Sequence, residues 1–341
     1  MRKRFLSILQ YVIFLGGGIF LVWWQLRSLT AKEEAAFLNA FDKANYWLIV
    51  PVTILILLSH LSRAMRWKLL MEPLGYDPAT KNVFAVTLVG YFANAAFPRL
   101  GEILKCTFLA RYEHLKVEKL VGTIIVEKAF DIICYIIFIG ITIIIQIDRV
   151  GSYLQNKLTD IAILPGFPLW GTVLIALSVI FIFYLFLKLL FRQFPGNKIV
   201  LKIKDFLKGI FEGFKSIRHL NHRRSFIIHT IFIWGAYLSQ IYIAFYAMSG
   251  TEHLGIKAAF SVLTLATLSM ILTPGGIGTF PLFIAETLIM YDIAKELGVA
   301  FGWLMWGIST GIIIIAGLIA LLLLPYINKK KKNEISSVDT V

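Results

Sequence analysis

The sequence predicts an all-α membrane protein that crosses the bilayer several times and is built as an inverted-topology repeat. Three observations predict it: apolar runs recur along the whole chain, two pairs of short apolar segments are joined by Pro-Gly turns, and Lys and Arg crowd alternate connections. Hydrophobic residues make up 58% of the 341 and charged residues 16%, with a mean hydropathy of +0.77. Soluble domains carry about 45–50% apolar and about 25% charged residues. Only helices and closed barrels satisfy every backbone group in lipid. The runs are too continuous for barrel strands, which alternate over about ten residues.

The apolar segments fall at 5–25, 46–62, 82–97, 101–110, 121–147, 168–191, 225–248, 256–273, 278–290 and 299–326. A bilayer needs about 20 helical residues, and six of these segments reach or approach that length. The four short ones form two pairs, joined by PRLG (Pro98–Gly101) and PGGIG (Pro274–Gly278). Such pairs fit re-entrant hairpins, 82–110 and 256–290, since irregular backbone at that depth is tolerated only where protein or water lines it. With both hairpins returning to their own side and the N-terminus in the cytoplasm, the cytoplasmic connections hold 23 Lys/Arg and the outer ones 7. That is the bias of the positive-inside rule.

Residues 1–147 are then a first repeat, and 148–191 an outer loop with the first span of the second. Residues 192–224 form a cytoplasmic linker, 225–326 the rest of the second repeat, and 327–341 a basic cytoplasmic tail. The hairpins enter from opposite sides, the arrangement of many transporters, with broken helices meeting near the midplane. Within the linker, Ile203, Phe206, Leu207, Ile210, Phe214 and Ile217 make an apolar stripe amid lysines. Residues 199–218 therefore read as a basic amphipathic helix on an anionic leaflet, either a plain interfacial linker or a regulatory surface.

The formal net charge of +14 does not point to nucleic acid, because the basic residues cluster beside apolar segments as topology determinants do. Met1–Arg4 and the apolar run behind it resemble a signal peptide, but no small-residue cleavage site precedes Trp23-Trp24, so a retained first span is expected. Cys106 and Cys134 read as small apolar filler. The six histidines show no ligand spacing. Neither a metal nor a cofactor is implied, and no nucleophile–base pair stands out.

Ionisable residues inside a span usually face a cavity or a partner. Asn94, Arg99, Glu102 and Lys105 surround the first turn. Pro98 ends the incoming half-helix and Gly101 lets the returning one start close to its neighbours. A helix starting there aims its positive dipole end into the interior, so Arg99 beside it makes an anion site suited to phosphate. Glu102 is placed to cap the terminus, hold Arg99 or receive a cationic headgroup. Glu127 and Asp131, four residues apart, share one helix face, with Arg99, Arg63 or Arg66 as candidate partners. All of these charges equally fit an internal ion-pair network that locks the hairpin. At the second turn, Gly275, Gly276 and Gly278 allow positive φ after Pro274, and Pro281 fits the first turn of the returning helix. Glu286 is the only acid of that segment, facing either the cavity or the outer interface.

NAAFPRLGE, RAMRWKLL (Arg63–Leu70), EKAFD and PGGIG, in this spacing, resemble the transmembrane domain of bacterial lysylphosphatidylglycerol synthases, which also occurs in stand-alone membrane proteins. The resemblance covers nearly the whole chain. It implies a membrane part that flips lipid, with aminoacyl transfer performed by a separate cytosolic domain for which this chain leaves no room. Two positions depart from the family pattern: Glu127-Lys128 stands where Glu-Arg is common, and Thr279-Phe280-Pro281 where a glutamate is usual. The expectation is a flippase-like transporter of a phospholipid or other phosphate-bearing lipid in the bacterial cytoplasmic membrane, not itself an enzyme, with both termini cytoplasmic and self-association open. The alternatives are a membrane component of a lipid-modifying transferase and a small-solute or ion-coupled transporter.

Overall fold

The computed structural model describes residues 30–97, 99–146 and 220–329, with isolated positions between 16 and 27 and between 178 and 193. The expected spans 5–25 and 168–191, the loop 148–167, the linker helix 199–218, Pro98 and the tail beyond Lys329 lie outside the described residues. Among the described residues every regular element is helical: α1 (Ala31–Asp42), α2 (Ile49–Leu69), α3 (Thr80–Ala96), α4 (Leu100–Glu113), α5 (Val117–Ile145), α6 (Arg223–Ala244), α7 (Ile256–Leu272), α8 (Thr279–Ile289) and α9 (Lys295–Ile327). Four helical stretches, built on α2, α5, α6 and α9, are long and apolar enough to cross a membrane. They coincide with four of the six spans expected from sequence.

The chain divides into two compact units, residues 1–124 with 219–341, and residues 125–218. The boundary falls within α5. In the first unit, α2 and α6 run antiparallel. Ser62 Oγ donates to the His229 carbonyl (3.3 Å) and lies 2.9 Å from its Nδ1, while the Asn45 N–H donates to the Ala247 carbonyl (2.8 Å) at the other end. Glu72 pairs with His222 at 3.0 Å where the two helices approach the basic side. Partner numbers fall along α6 as they rise along α2, which is the signature of antiparallel packing.

The two short-helix pairs are hairpins. α3 packs on α4, and α7 on α8. α8, with 11 residues, is about 16 Å long, about half the ~30 Å hydrocarbon core. α9 runs past both hairpins in opposite senses. Its first half meets α8, where a Cβ on Gly302 would stand 2.6 Å from Pro281 Cα, and its second half meets α3, where a Cβ on Gly317 would stand 2.3 Å from Phe92 Cβ. At its far end Asn328 and Asn82 exchange two amide hydrogen bonds (2.8 and 2.9 Å). Asn82 also donates to Glu113 Oε1, which accepts the Ala79 N–H as well. The open end of the first hairpin therefore lies at the C-terminus of α9, and that of the second beside Tyr291 and Lys295 at its N-terminus. The hairpins oppose each other, as the charge bias predicts.

α1 was not expected, since residues 26–45 read as an outer connection. Thr30 and Glu33 form a capping box: the Thr30 hydroxyl accepts the Glu33 N–H, and the Glu33 carboxylate accepts the Thr30 N–H and hydroxyl. The T-x-x-E signature announces it. These bonds, the backbone one foremost, hold the Glu33 carboxyl below the usual carboxylate range.

Close packing of α9 on α3 has a measurable consequence. Gly317→Ala forces Phe92 or the α3 backbone to move, and such overpacking costs about 1–3 kcal/mol. Gly307, on the same helix, has nothing within 4 Å of its would-be Cβ. Thermal unfolding in detergent should show a lowered midpoint for Gly317→Ala and an unchanged or raised one for Gly307→Ala.

Candidate functional site

The first turn is held from within. Phe97 is extended (φ −137°, ψ 115°) and ends α3. Arg99 takes the left-handed conformation (φ 68°) that starts α4. Gly101 packs directly on α3: a Cβ there would lie 2.0 Å from the Gly90 carbonyl oxygen and 2.6 Å from the Asn94 side chain. No residue with a side chain fits. Asn94 Oδ1 accepts the Gly101 N–H (2.8 Å), and Asn94 Nδ2 donates to Glu102 Oε1 (3.2 Å). A side chain on the incoming helix thus caps the outgoing one and anchors its first-turn carboxylate. Arg99, by contrast, is exposed.

The second turn places Gly275, Gly276 and Gly278 all at positive φ (62°, 71° and 74°), a run that side-chain-bearing residues resist. Side chains from outside the hairpin fix its carbonyls. Trp306 Nε1 donates to the Gly275 oxygen (2.7 Å) and Gln25 Nε2 to the Gly278 oxygen (3.1 Å). At the neck, the Thr273 and Thr279 hydroxyls are hydrogen-bonded and Thr279 Oγ1 lies 3.3 Å from the Ser269 carbonyl. A Cβ on Gly275 would lie 3.8 Å from the Ala95 carbonyl oxygen, so the second turn rests on the end of α3 beside the first. The two turns meet.

Behind the first turn is a buried row of cations. Lys105 Nζ lies 3.9 Å from the centre of the Trp67 ring, and Trp67 Nε1 donates to Thr123 Oγ1 (2.8 Å). Arg63 lies over Tyr91 (5.8 Å) and donates to the Tyr237 hydroxyl (3.1 Å), while His60 packs on the same Tyr91 ring at 4.4 Å. Arg66 is fully buried, 5.6 Å from the Phe226 ring centre and 3.4 Å from Thr230 Oγ1. Aromatic faces and hydroxyls are what a desolvated cation can use in an apolar interior.

The residues named from sequence are therefore only partly gathered. Asn94, Arg99, Gly101 and Glu102 form one turn; Pro274, Gly275, Gly276 and Gly278 form the other, against it. Arg66 belongs to the α2–α6 contact, with Thr230 and Phe226. Glu286 is exposed, seven residues (about 10 Å of helix) beyond Thr279, and does not join the turns. Glu127 is buried and Asp131 half-buried on one face of α5, with Lys128 exposed on another. Both carboxylates belong to the second unit. Gln25, Trp306 and Tyr91 escaped the sequence reading. Gln25 is one of two amides, with Gln10, in the apolar run 5–25, the cue that could have marked it.

Opposed hairpins with touching turns, set among apolar spanning helices, define a polytopic α-helical membrane protein of the broken-helix kind. The chain matches the family described as the lysylphosphatidylglycerol synthase TM region over residues 7–317, and it belongs to that family. A UPF0104 membrane protein of Methanocaldococcus jannaschii is 24% identical over 303 residues, covering 84% of this chain and 87% of its own length. No solved structure matches the chain significantly.

The role of Asn94 can be tested directly. Asn94→Ala strands the Gly101 N–H inside the hairpin, at a cost of about 1–3 kcal/mol for a buried unpaired donor. Hydrogen exchange by mass spectrometry should rise at residues 99–104 and stay unchanged in α6.

Proposed function

We propose that this protein is a flippase-like transporter that moves a phosphate-bearing lipid across the membrane, the headgroup passing the meeting point of the two turns while the acyl chains stay in the bilayer. One observation carries the reading. Arg99 occupies a left-handed backbone position that costs an ordinary residue about 1–2 kcal/mol and that glycine would fill without strain. Among the described non-glycine residues, His114 and Asp292 share positive φ just after helices end, where it is ordinary. Arg99 holds it at a helix start, and strain kept there is a pointer to function. Here it holds an exposed guanidinium at the head of a 14-residue helix, α4, whose dipole is positive at that end. Lys105 and Arg63 behind it add to the positive potential. A guanidinium grips phosphate bidentately, and lysine lacks the planar fork.

The opposed hairpins, tied to opposite halves of α9, supply the two elements that rocking of one repeat against the other requires. The membrane is the cytoplasmic membrane of a bacterium, with the basic ends of the helices in the cytoplasm. The family description also names a synthase, which favours a second reading: the chain serves as membrane partner of a soluble lipid-modifying transferase. Copurification of such an enzyme with this protein is the observation that would promote it.

Two experiments test the first reading. Headgroup-dependent lipid translocation by purified protein in liposomes should be lost in Arg99→Ala and mostly lost in Arg99→Lys. Arg99→Gly should lose it too while unfolding at the same or a higher temperature, because glycine relieves the backbone. Wild-type translocation by a stable Arg99→Gly protein would sink the site. For orientation, single cysteines at Lys116 and Glu252 should label from opposite faces of sealed vesicles, Lys116 from the cytoplasmic face; labelling of both from one face defeats the opposed-repeat topology.

A further inference from the structure

We infer that the open end of the first hairpin is an electrostatic collecting surface for anionic phospholipid headgroups of its own leaflet, separate from the central Arg99 turn. The purpose assigned to it rests on the lipid-transport reading; the binding itself does not.

Four helix ends converge there. Glu113 of α4 accepts from Ala79 and Asn82 at the start of α3, and Asn82 is tied to Asn328 at the end of α9. α5 begins four residues after Glu113, and Lys119 Nζ in its first turn lies 5.8 Å from the Tyr76 ring centre. Around this knot Lys81, Arg111, Lys116, Lys119 and Lys329 are all exposed. None of the five forms an ion pair among the described residues. The acids of this end are already engaged: Asp77 with Lys68 (2.7 Å), Glu72 with His222 (3.0 Å) and Glu113 with the Asn82 amide. Among the described residues, only Glu118 stands exposed and unpaired beside these cations. At the open end of the second hairpin the exposed charges balance, with Lys257 and Lys295 beside Glu252 and Asp292.

The depth fits headgroups. On α9 an exposed apolar stripe runs through Ile315, Ile319 and Leu322 and ends at Tyr326, which is 75% exposed. A tyrosine at the end of a lipid-facing stripe sits at headgroup level, and Lys329 follows it by three residues. Basic residues at that level attract anionic lipid by about 1 kcal/mol each, within a Debye length. Topology alone needs positive charge on this side of the membrane. It does not need five unpaired cations gathered where a re-entrant hairpin opens, nor the local acids withdrawn into other bonds.

The test uses full-length protein in nanodiscs of phosphatidylcholine doped with phosphatidylglycerol. Native mass spectrometry of the released protein reads the ratio of retained phosphatidylglycerol to phosphatidylcholine at low and high salt. Wild type should retain phosphatidylglycerol preferentially and lose the preference as salt rises. The pair Lys116→Glu with Lys119→Glu should cut the preference by about tenfold, and the control pair Lys257→Glu with Lys295→Glu should leave it unchanged. Arg99→Ala should keep the preference even while translocation fails, which separates this surface from the central site. Excess inorganic phosphate should not displace the lipid. An absent preference in wild type, a preference unchanged by the Lys116/Lys119 reversal at unchanged thermal stability, or its loss in Arg99→Ala or in inorganic phosphate would overturn the inference.

Discussion

A chain that turns back inside a bilayer releases backbone donors and acceptors where no water can take them. The rest of this structure depends on how that demand is met. At the first turn the answer is a side chain: Asn94 accepts the Gly101 N–H and holds Glu102 in the same gesture. That is possible only because Gly101 lies against the Gly90 carbonyl, leaving no room for a Cβ. At the second turn the answer comes from other helices, with Trp306 and Gln25 donating to the carbonyls of Gly275 and Gly278. The two turns use opposite halves of the hydrogen-bond vocabulary. One has its N–H capped from within, the other has its C=O groups capped from without.

α9 makes the opposition of the hairpins possible. It is long enough to contact α8 near one end and α3 near the other, and small residues at Gly302 and Gly317 let both approach closely. Close approach through small residues is the ordinary route to helix association in membranes, where hydrophobicity between helices drives little. The first hairpin is fastened to α9 near its open end, through Asn82 and Asn328, and the second close to its turn, through Pro281 and Gly275; the tips meet beside Trp306. A movement of one hairpin must therefore be carried through α9 or through the contact between the tips.

The electrostatic character of the first unit follows from what surrounds the turn. Arg63, Arg66 and Lys105 are buried cations whose aromatic and hydroxyl neighbours come from α2, α3, α5 and α6. Arg99 stands apart from them by being exposed and by holding a left-handed backbone conformation at the start of a helix. This difference separates charges buried within the helix packing from one left open at the turn.

Much of this was legible in the sequence. Helix periodicity and hydropathy are local properties, so four of the spanning helices and both hairpins were legible within about four residues of their ends. The exception is α2, which continues seven residues past 62, to Leu69, where Arg63, Arg66 and Lys68 break the apolar run. That the two hairpins open in opposite directions was legible from Lys and Arg counts, because charge biases insertion segment by segment. Pro98–Gly101 and Pro274–Gly278 marked the turns, since few residues other than proline and glycine break a helix so reliably. The capping box that starts α1 is equally local, a T-x-x-E pattern at Thr30–Glu33. What the sequence could not determine was which buried groups meet. Arg66 faces Thr230 and Arg63 faces Tyr237, partners more than 160 residues away, and nothing in either segment names the other. Glu286 sat in the right segment, but the packing of α8 on α9 turned it outward. Helical phase, set by which face finds small residues opposite it, was decided only when the chain folded.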